Sequence, residues 1–297
     1  MVQNCRLITA MVTPFKVDGS VDYDQAKRLA LKLVETGSDG LVVVGTTGES
    51  PTLVRSEELK LFAEIKQAVG SKTAVIAGTG SNSTAEAVET TRQAEETGVD
   101  ACLLVVPYYN KPSQEGLYQH FKTIASSTKL PCILYNVPSR TVASLSAETT
   151  VRLSRIENII GTKDASGNLD DISRIISSAS PDFRVWSGND GDTLPMMSIG
   201  AYGTVSVVSH LVGKQIKAMI EHFVKGETDA AATIHNYLIP LFKAMFVTAN
   251  PCPLKYALNY LGFRVGKPRL PLVEPDEDSA CTIITTLNKY TIDLEVD

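Results

Sequence analysis

Long apolar runs, basic clusters and paired cysteines are all missing from this 297-residue sequence. No apolar stretch reaches the roughly 18 to 20 residues that a bilayer-spanning helix needs. The N-terminal stretch 1–15 has no basic leader, and its short apolar segment runs into Thr13-Pro14, so no secretory signal peptide is expected. The formal net charge is −5 and lysine and arginine do not cluster, which argues against nucleic acid as the main partner. The five cysteines (Cys5, Cys102, Cys132, Cys252, Cys281) are odd in number and form no CxxC pair. They are expected to be reduced and mostly buried, in a cytoplasmic protein, with neither disulfides nor a metal site. Histidine is scarce too. His120, His210, His222 and His235 show no HxH or HxxxH spacing, and each reads as a surface or capping residue, leaving metal-dependent chemistry the weaker route.

What is present is a large core and a regular alternation. Hydrophobic residues make up 43% and charged residues 21%, close to ordinary globular usage. Eight apolar, β-branched runs read as strands buried on both faces: Leu7–Thr13, Gly40–Gly45, Thr73–Ala77, Ala101–Pro107, Cys132–Tyr135, Ile159–Lys163, Arg184–Ser187 and Gly203–Val208. Amphipathic stretches separate them. Asp22–Glu35, Ser56–Val69 and Ser83–Thr97 have helical periodicity, the last opening on a Ser83/Glu86 capping-box pair. Eightfold strand–helix alternation predicts an α/β fold, a (β/α)8 TIM barrel of residues 1–227. An open doubly wound sheet is the competing arrangement, but no GxGxxG follows the first strand. Beyond Glu227 the pattern turns all-helical. Residues 228–297 are therefore expected to form a C-terminal helical extension, with helices over Ala230–Thr248, Leu254–Leu261 and Ser279–Lys289.

In such barrels chemistry collects at the C-terminal ends of the strands. The second run ends in Gly45-Thr46-Thr47-Gly48-Glu49-Ser50, where glycines admit a ligand close to the backbone and a following helix N-terminus suits an anion. Carboxylate and phosphate fit this loop equally. Tyr108, Tyr109 and Tyr135 stand at the ends of the fourth and fifth runs and offer phenols for proton transfer. The sixth run closes on Lys163. A lysine at a strand end can reach into solvent. Held inside the barrel mouth instead, it would lose ammonium stability from desolvation and become an amine able to attack a ketone. The resulting imine makes the adjacent carbon a nucleophile.

Four separated segments, Gly45–Ser50 (GTTGES), Pro107–Asn110 (PYYN), Tyr135–Arg140 (YNVPSR) and Ile160–Asn168 (IGTKDASGN), resemble the hallmarks of the dihydrodipicolinate synthase family, within the N-acetylneuraminate lyase superfamily. The resemblance runs over essentially the whole chain, including Asn250-Pro251 and Arg269-Leu270-Pro271-Leu272. It implies condensation of pyruvate with L-aspartate 4-semialdehyde on the way to diaminopimelate and lysine, with a covalent imine on Lys163 and no separate cofactor. It further implies proton relay through Tyr135, Thr47 and Tyr109, the last reaching in from a neighbouring subunit of a homotetramer. Thr46 and Thr47 are implied to hold the pyruvate carboxylate, Gly188 and Val205 to line its pocket, and Arg140 to receive the semialdehyde carboxylate. The Ser139-Arg140 pair favours the semialdehyde over the sugar acids of sibling aldolases. In lysine-inhibited members the matching effector positions are Ser50, Pro51, Arg55, Glu58, Asn82, Glu86 and Tyr108, with Glu58 and Glu86 offering carboxylates to an ammonium. Three positions depart from the commonest pattern: Asp164 for glutamate, Asn189 for aspartate and Val142 for glycine, the last in the loop of Arg140. The alternatives are a pyruvate-dependent aldolase of sugar acids and a silent barrel that binds lysine or a keto acid.

Overall fold

The computed structural model describes residues 2–296, so the outer ends of both predicted segments, Met1 and Asp297, lie outside the described residues. Eight parallel strands close into one barrel in chain order: β1 (Leu7–Ala10), β2 (Gly40–Val43), β3 (Ala74–Gly78), β4 (Ala101–Val105), β5 (Cys132–Asn136), β6 (Ile159–Asp164), β7 (Arg184–Ser187) and β8 (Gly203–Ser206). The helices between and around them are α1 (Tyr23–Glu35), α2 (Arg55–Val69), α3 (Thr84–Glu96), α4 (Gln114–Ala125), α5 (Pro138–Thr141), α6 (Ala147–Leu153), α7 (Leu169–Ser178), α8 (Thr193–Ser198) and α9 (Ser209–Val224). Then come α10 (Thr228–Ala244), α11 (Cys252–Tyr260) and α12 (Glu277–Leu287), which make up the helical C-terminal part.

Why the strands read as continuous apolar runs is visible in the packing. Alternate residues such as Ile8, Val42, Ile76, Leu103 and Ile133 fill the barrel interior. Their neighbours Leu7, Leu41, Val43 and Val75 face the helices. Both faces are dry, so no polar alternation survives. Trp186 plugs the interior, its indole N–H donating to Cys5 O at 2.8 Å. Gly161 makes room for it, since a Cβ there would lie 2.5 Å from the Trp186 ring. Helices α10, α11 and α12 share a core with α1, α2 and α9 through Leu238, Leu241, Leu254, Leu258 and Ile283. The helical part therefore grows out of the barrel's own outer layer.

Three expectations need correction. Several apolar runs outlast their strands: β1 ends at Ala10, β2 at Val43, β4 at Val105 and β8 at Ser206. Apolarity continues because Met11, Val44, Val106 and Val207 stay buried beneath the loops, although they have left the ladder. His120 and His210 are not surface residues. His210 accepts from Val12 N at 3.2 Å and faces Val207 O at 2.8 Å, and His120 faces the Thr84 hydroxyl at 2.9 Å; burial pushes both imidazoles down to about 4. Finally, Ser83 caps α3 by accepting from Glu86 N, but the Glu86 carboxylate does not reach back; it bonds Ser81 and Arg55 instead. Among the described residues no helix is long and apolar enough to cross a membrane.

Candidate active site

The C-terminal ends of the strands carry the polar residues. Tyr135 and Lys163 are register partners on β5 and β6, so the ladder itself sets them side by side. Both are buried, and the Lys163 Nζ stands 4.2 Å from the centroid of the Tyr135 ring. A cation over an aromatic face is attracted to it, which helps to orient the lysine. On the far side, a Cβ at Gly188 would lie 3.1 Å from Lys163 Cε and 2.7 Å from Ala165 Cβ. Glycine is required there by close approach, and it leaves the lysine stem its channel. Val205 on β8 is fully buried in the same interior.

Past the end of β7 lies Asp190, buried between the Ser206 hydroxyl, with which it makes a short hydrogen bond, and the amides of Val207 at 3.1 Å and Val208 at 3.3 Å. Burial pushes its carboxyl up, against the pull of these donors and of the Lys163 charge. Asp164, one of the three departures, is also occupied. It accepts from Asn136 Nδ2 at 3.0 Å and from Ser166 N at 2.8 Å, and so ties the β6 loop to β5. Asn189 donates to Asp192 at 2.8 Å.

The β2–α2 loop supplies Thr46, half-buried, and Thr47, buried. Thr47 Oγ1 accepts a hydrogen bond of 2.9 Å from Asn250 Nδ2, a residue 203 positions away. Glu49 in the same loop is fully buried against Lys255 of α11, at 2.7 Å. Lys255 also donates to Thr13 O and Lys267 O, and Glu49 accepts from Arg269 N at 2.9 Å. The C-terminal part thus grips this loop at Thr47 and at Glu49. Neither grip was legible in the sequence, where the partners lie some two hundred residues apart and nothing pairs one with the other.

Arg140 sits on α5 and is exposed, its Nη2 donating to Asn250 O at 3.4 Å. Val142 closes α5 in the left-handed region at φ 58°, a conformation that favours glycine. Other non-glycine residues with positive φ are Val44, Glu49, Tyr109 and Lys111. All five lie on loops leaving the C-terminal ends of strands, where strain is commonly held at functional sites. Tyr109 is not brought to Lys163 within one chain: it is 87% exposed on the β4–α4 loop.

A cavity of about 490 Å³ opens beside this centre. Thr46 and Arg140 line one side; Ser50, Pro51, Arg55, Glu58, Glu86 and Tyr108 line the other. Neither Lys163 nor Thr47 lines it. Six of the seven candidate effector positions therefore share one cavity, and the seventh, Asn82, donates to Tyr108 O at 3.2 Å. Arg55 bridges Glu58 at 2.9 Å and Glu86 at 3.6 Å. Burial pushes the Glu58 carboxyl up to about 7, with Arg55 opposing and Glu86 reinforcing the shift.

The sequence pattern of the Dihydrodipicolinate synthetase family matches residues 3–290. This chain belongs to that family. Among members of the dihydrodipicolinate synthetase family, the 4-hydroxy-tetrahydrodipicolinate synthase of Dehalococcoides mccartyi (strain ATCC BAA-2266) is 67% identical over 291 residues, 98% of each chain. A solved dihydrodipicolinate synthase of Cyanidioschyzon merolae with lysine bound is 48% identical, with a TM-score of 0.95 over 96% of this chain and 98% of that one. The Bacillus anthracis dihydrodipicolinate synthase structure superposes equally well, with 45% identity over 97% of this chain and 99% of that one.

Proposed function

We propose that this chain is a 4-hydroxy-tetrahydrodipicolinate synthase, condensing pyruvate with L-aspartate 4-semialdehyde through an imine on Lys163. The observation that carries the reading is Lys163 itself: a buried amine at a barrel mouth, over the Tyr135 ring, in a channel kept open by Gly188. Its nitrogen attacks the pyruvate keto carbon, and water leaves as the imine forms. Loss of a methyl proton gives an enamine, whose carbon attacks the aldehyde carbon, and the new oxygen takes up a proton. The semialdehyde's own amine then displaces Lys163 and closes the ring.

Each assigned residue has a part in that sequence. Thr46 and Thr47 hold the pyruvate carboxylate. Tyr135, Thr47 and a partner subunit's copy of Tyr109 carry protons to and from the imine. Arg140 offers a two-pronged donor to the semialdehyde carboxylate at the cavity mouth. No separate cofactor takes part. The chain works as a homotetramer in the cytoplasm, where thiols such as those of its five cysteines stay reduced. The cavity beside Thr46 takes L-lysine as a feedback inhibitor, its ammonium groups against Glu58 and Glu86. The lysine bound to the Cyanidioschyzon merolae enzyme supports this assignment.

Product analysis tests the substrate. With pyruvate and the semialdehyde present, the cyclic product should accumulate, and N-acetylneuraminate should not be cleaved. Cleavage of the sugar acid without turnover of the semialdehyde would make the chain a sibling aldolase.

A further inference from the structure

Asn250 is buried, comes from outside the barrel, and touches Thr47 with its side chain and Arg140 with its backbone. Its Nδ2 donates to Thr47 Oγ1 at 2.9 Å, while its backbone oxygen accepts from Arg140 Nη2 at 3.4 Å. Its Oδ1 is buried without a hydrogen-bond partner among the described residues. A half-satisfied buried amide is an expensive way to hold a loop, since an unpaired polar atom loses its hydration without return. The loop is also already held by the buried Glu49–Lys255 pair two residues on. Asn250 therefore adds something other than anchorage.

We infer that Asn250 is a positioning residue that sets the direction of the Thr47 hydroxyl in proton transfer. The inference rests on the role proposed for Thr47 above. A hydroxyl has one proton to give and two lone pairs to receive with. Donation from Nδ2 fills one lone pair. The Thr47 proton then remains free, with one lone pair to take the next proton, so the hydroxyl can receive from one neighbour and give to another. An acceptor in the place of Nδ2 would instead capture the Thr47 proton and make the hydroxyl a dead end. Holding the same residue, Arg140 keeps Asn250 in register as the second substrate arrives.

Three variants of the full chain test this: Asn250→Ala, Asn250→Asp and Thr47→Ala, with the Thr47→Ala/Asn250→Ala double. Asn250→Ala should lower kcat by about tenfold or more, the equivalent of at least one net hydrogen bond. The KM for pyruvate should stay within about threefold, and borohydride should still trap pyruvate on Lys163. Asn250→Asp keeps the shape but, with an ordinary aspartate pKa of about 3.9, is ionised at working pH and only accepts. Its kcat should therefore fall at least as far as that of Asn250→Ala, again with the KM for pyruvate within about threefold. The double variant should be no slower than Thr47→Ala alone. An Asn250→Ala kcat within twofold of the unsubstituted chain, or an Asn250→Asp kcat well above that of Asn250→Ala, would overturn the inference. If Asn250→Ala does not fold, the isosteric Asn250→Asp decides alone: a kcat within twofold of the unsubstituted chain overturns the inference. Thr47→Ala separates the levels: full turnover there sinks the Thr47 relay itself, whereas lost turnover there with an unaffected Asn250→Ala sinks only the role of Asn250.

Discussion

At the residue scale, what sequence reveals is a residue that interrupts a pattern. Lys163 ends an apolar strand, Tyr135 does the same one strand earlier, and Thr46-Thr47 stand between glycines; all are set at the barrel mouth. Asn250 and Lys255 interrupt nothing comparable, and their partners Thr47 and Glu49 are more than two hundred positions away. Only the folded chain reveals them. Two predictions belong here. Glu58 has its carboxyl raised to about 7 by burial, so its carboxylate share falls as pH drops through that value. If its carboxylate receives the lysine ammonium, inhibition by lysine should weaken from pH 8 to pH 6, and Glu58→Gln should flatten that dependence. Inhibition constants measured across this range decide it. Val142→Gly should raise stability by about 1 kcal/mol, because a β-branched residue at φ 58° is strained where glycine is not. Denaturant unfolding of the two proteins gives the difference directly.

At the element scale, periodicity located all eight strands, the first three barrel helices and the three helices of the C-terminal part, and it failed at the ends. Met11, Val44, Val106 and Val207 are as buried as strand residues but belong to loops. Hydrophobicity reports burial, and a loop buried under a helical extension looks like more strand. The joint between α11 and the β2–α2 loop carries its own prediction. Lys255 and Glu49 have no exposed side-chain surface, and removing one partner of such a pair strands a charge in the interior. Lys255→Met should cost about 3–5 kcal/mol of stability. Adding Glu49→Gln should restore much of that, because the stranded charge is gone while an acceptor for Arg269 N remains. Thermal unfolding of the single and double variants checks both statements.

At the scale of the whole molecule, the chain divides the proposed relay between its interior and its surface. Tyr109 points into solvent on a loop of positive φ, 87% exposed, while Tyr135, Lys163 and Thr47 are buried. No composition or periodicity within a chain could show where such a residue ends up, since its destination would be another copy. The account predicts that Tyr109→Phe loses turnover on the order of a hundredfold, the scale of one proton-transfer group. Imine formation on Lys163 should persist, and light scattering should find a tetramer. Wild-type turnover in that variant would remove Tyr109 from the relay. The central claim, that Lys163 carries the substrate, is tested most directly by borohydride reduction of the protein with pyruvate, followed by peptide mass spectrometry. A pyruvyl adduct on the Lys163 peptide, absent in Lys163→Ala, is the predicted result. No adduct in folded protein, or an adduct on another lysine, would contradict it.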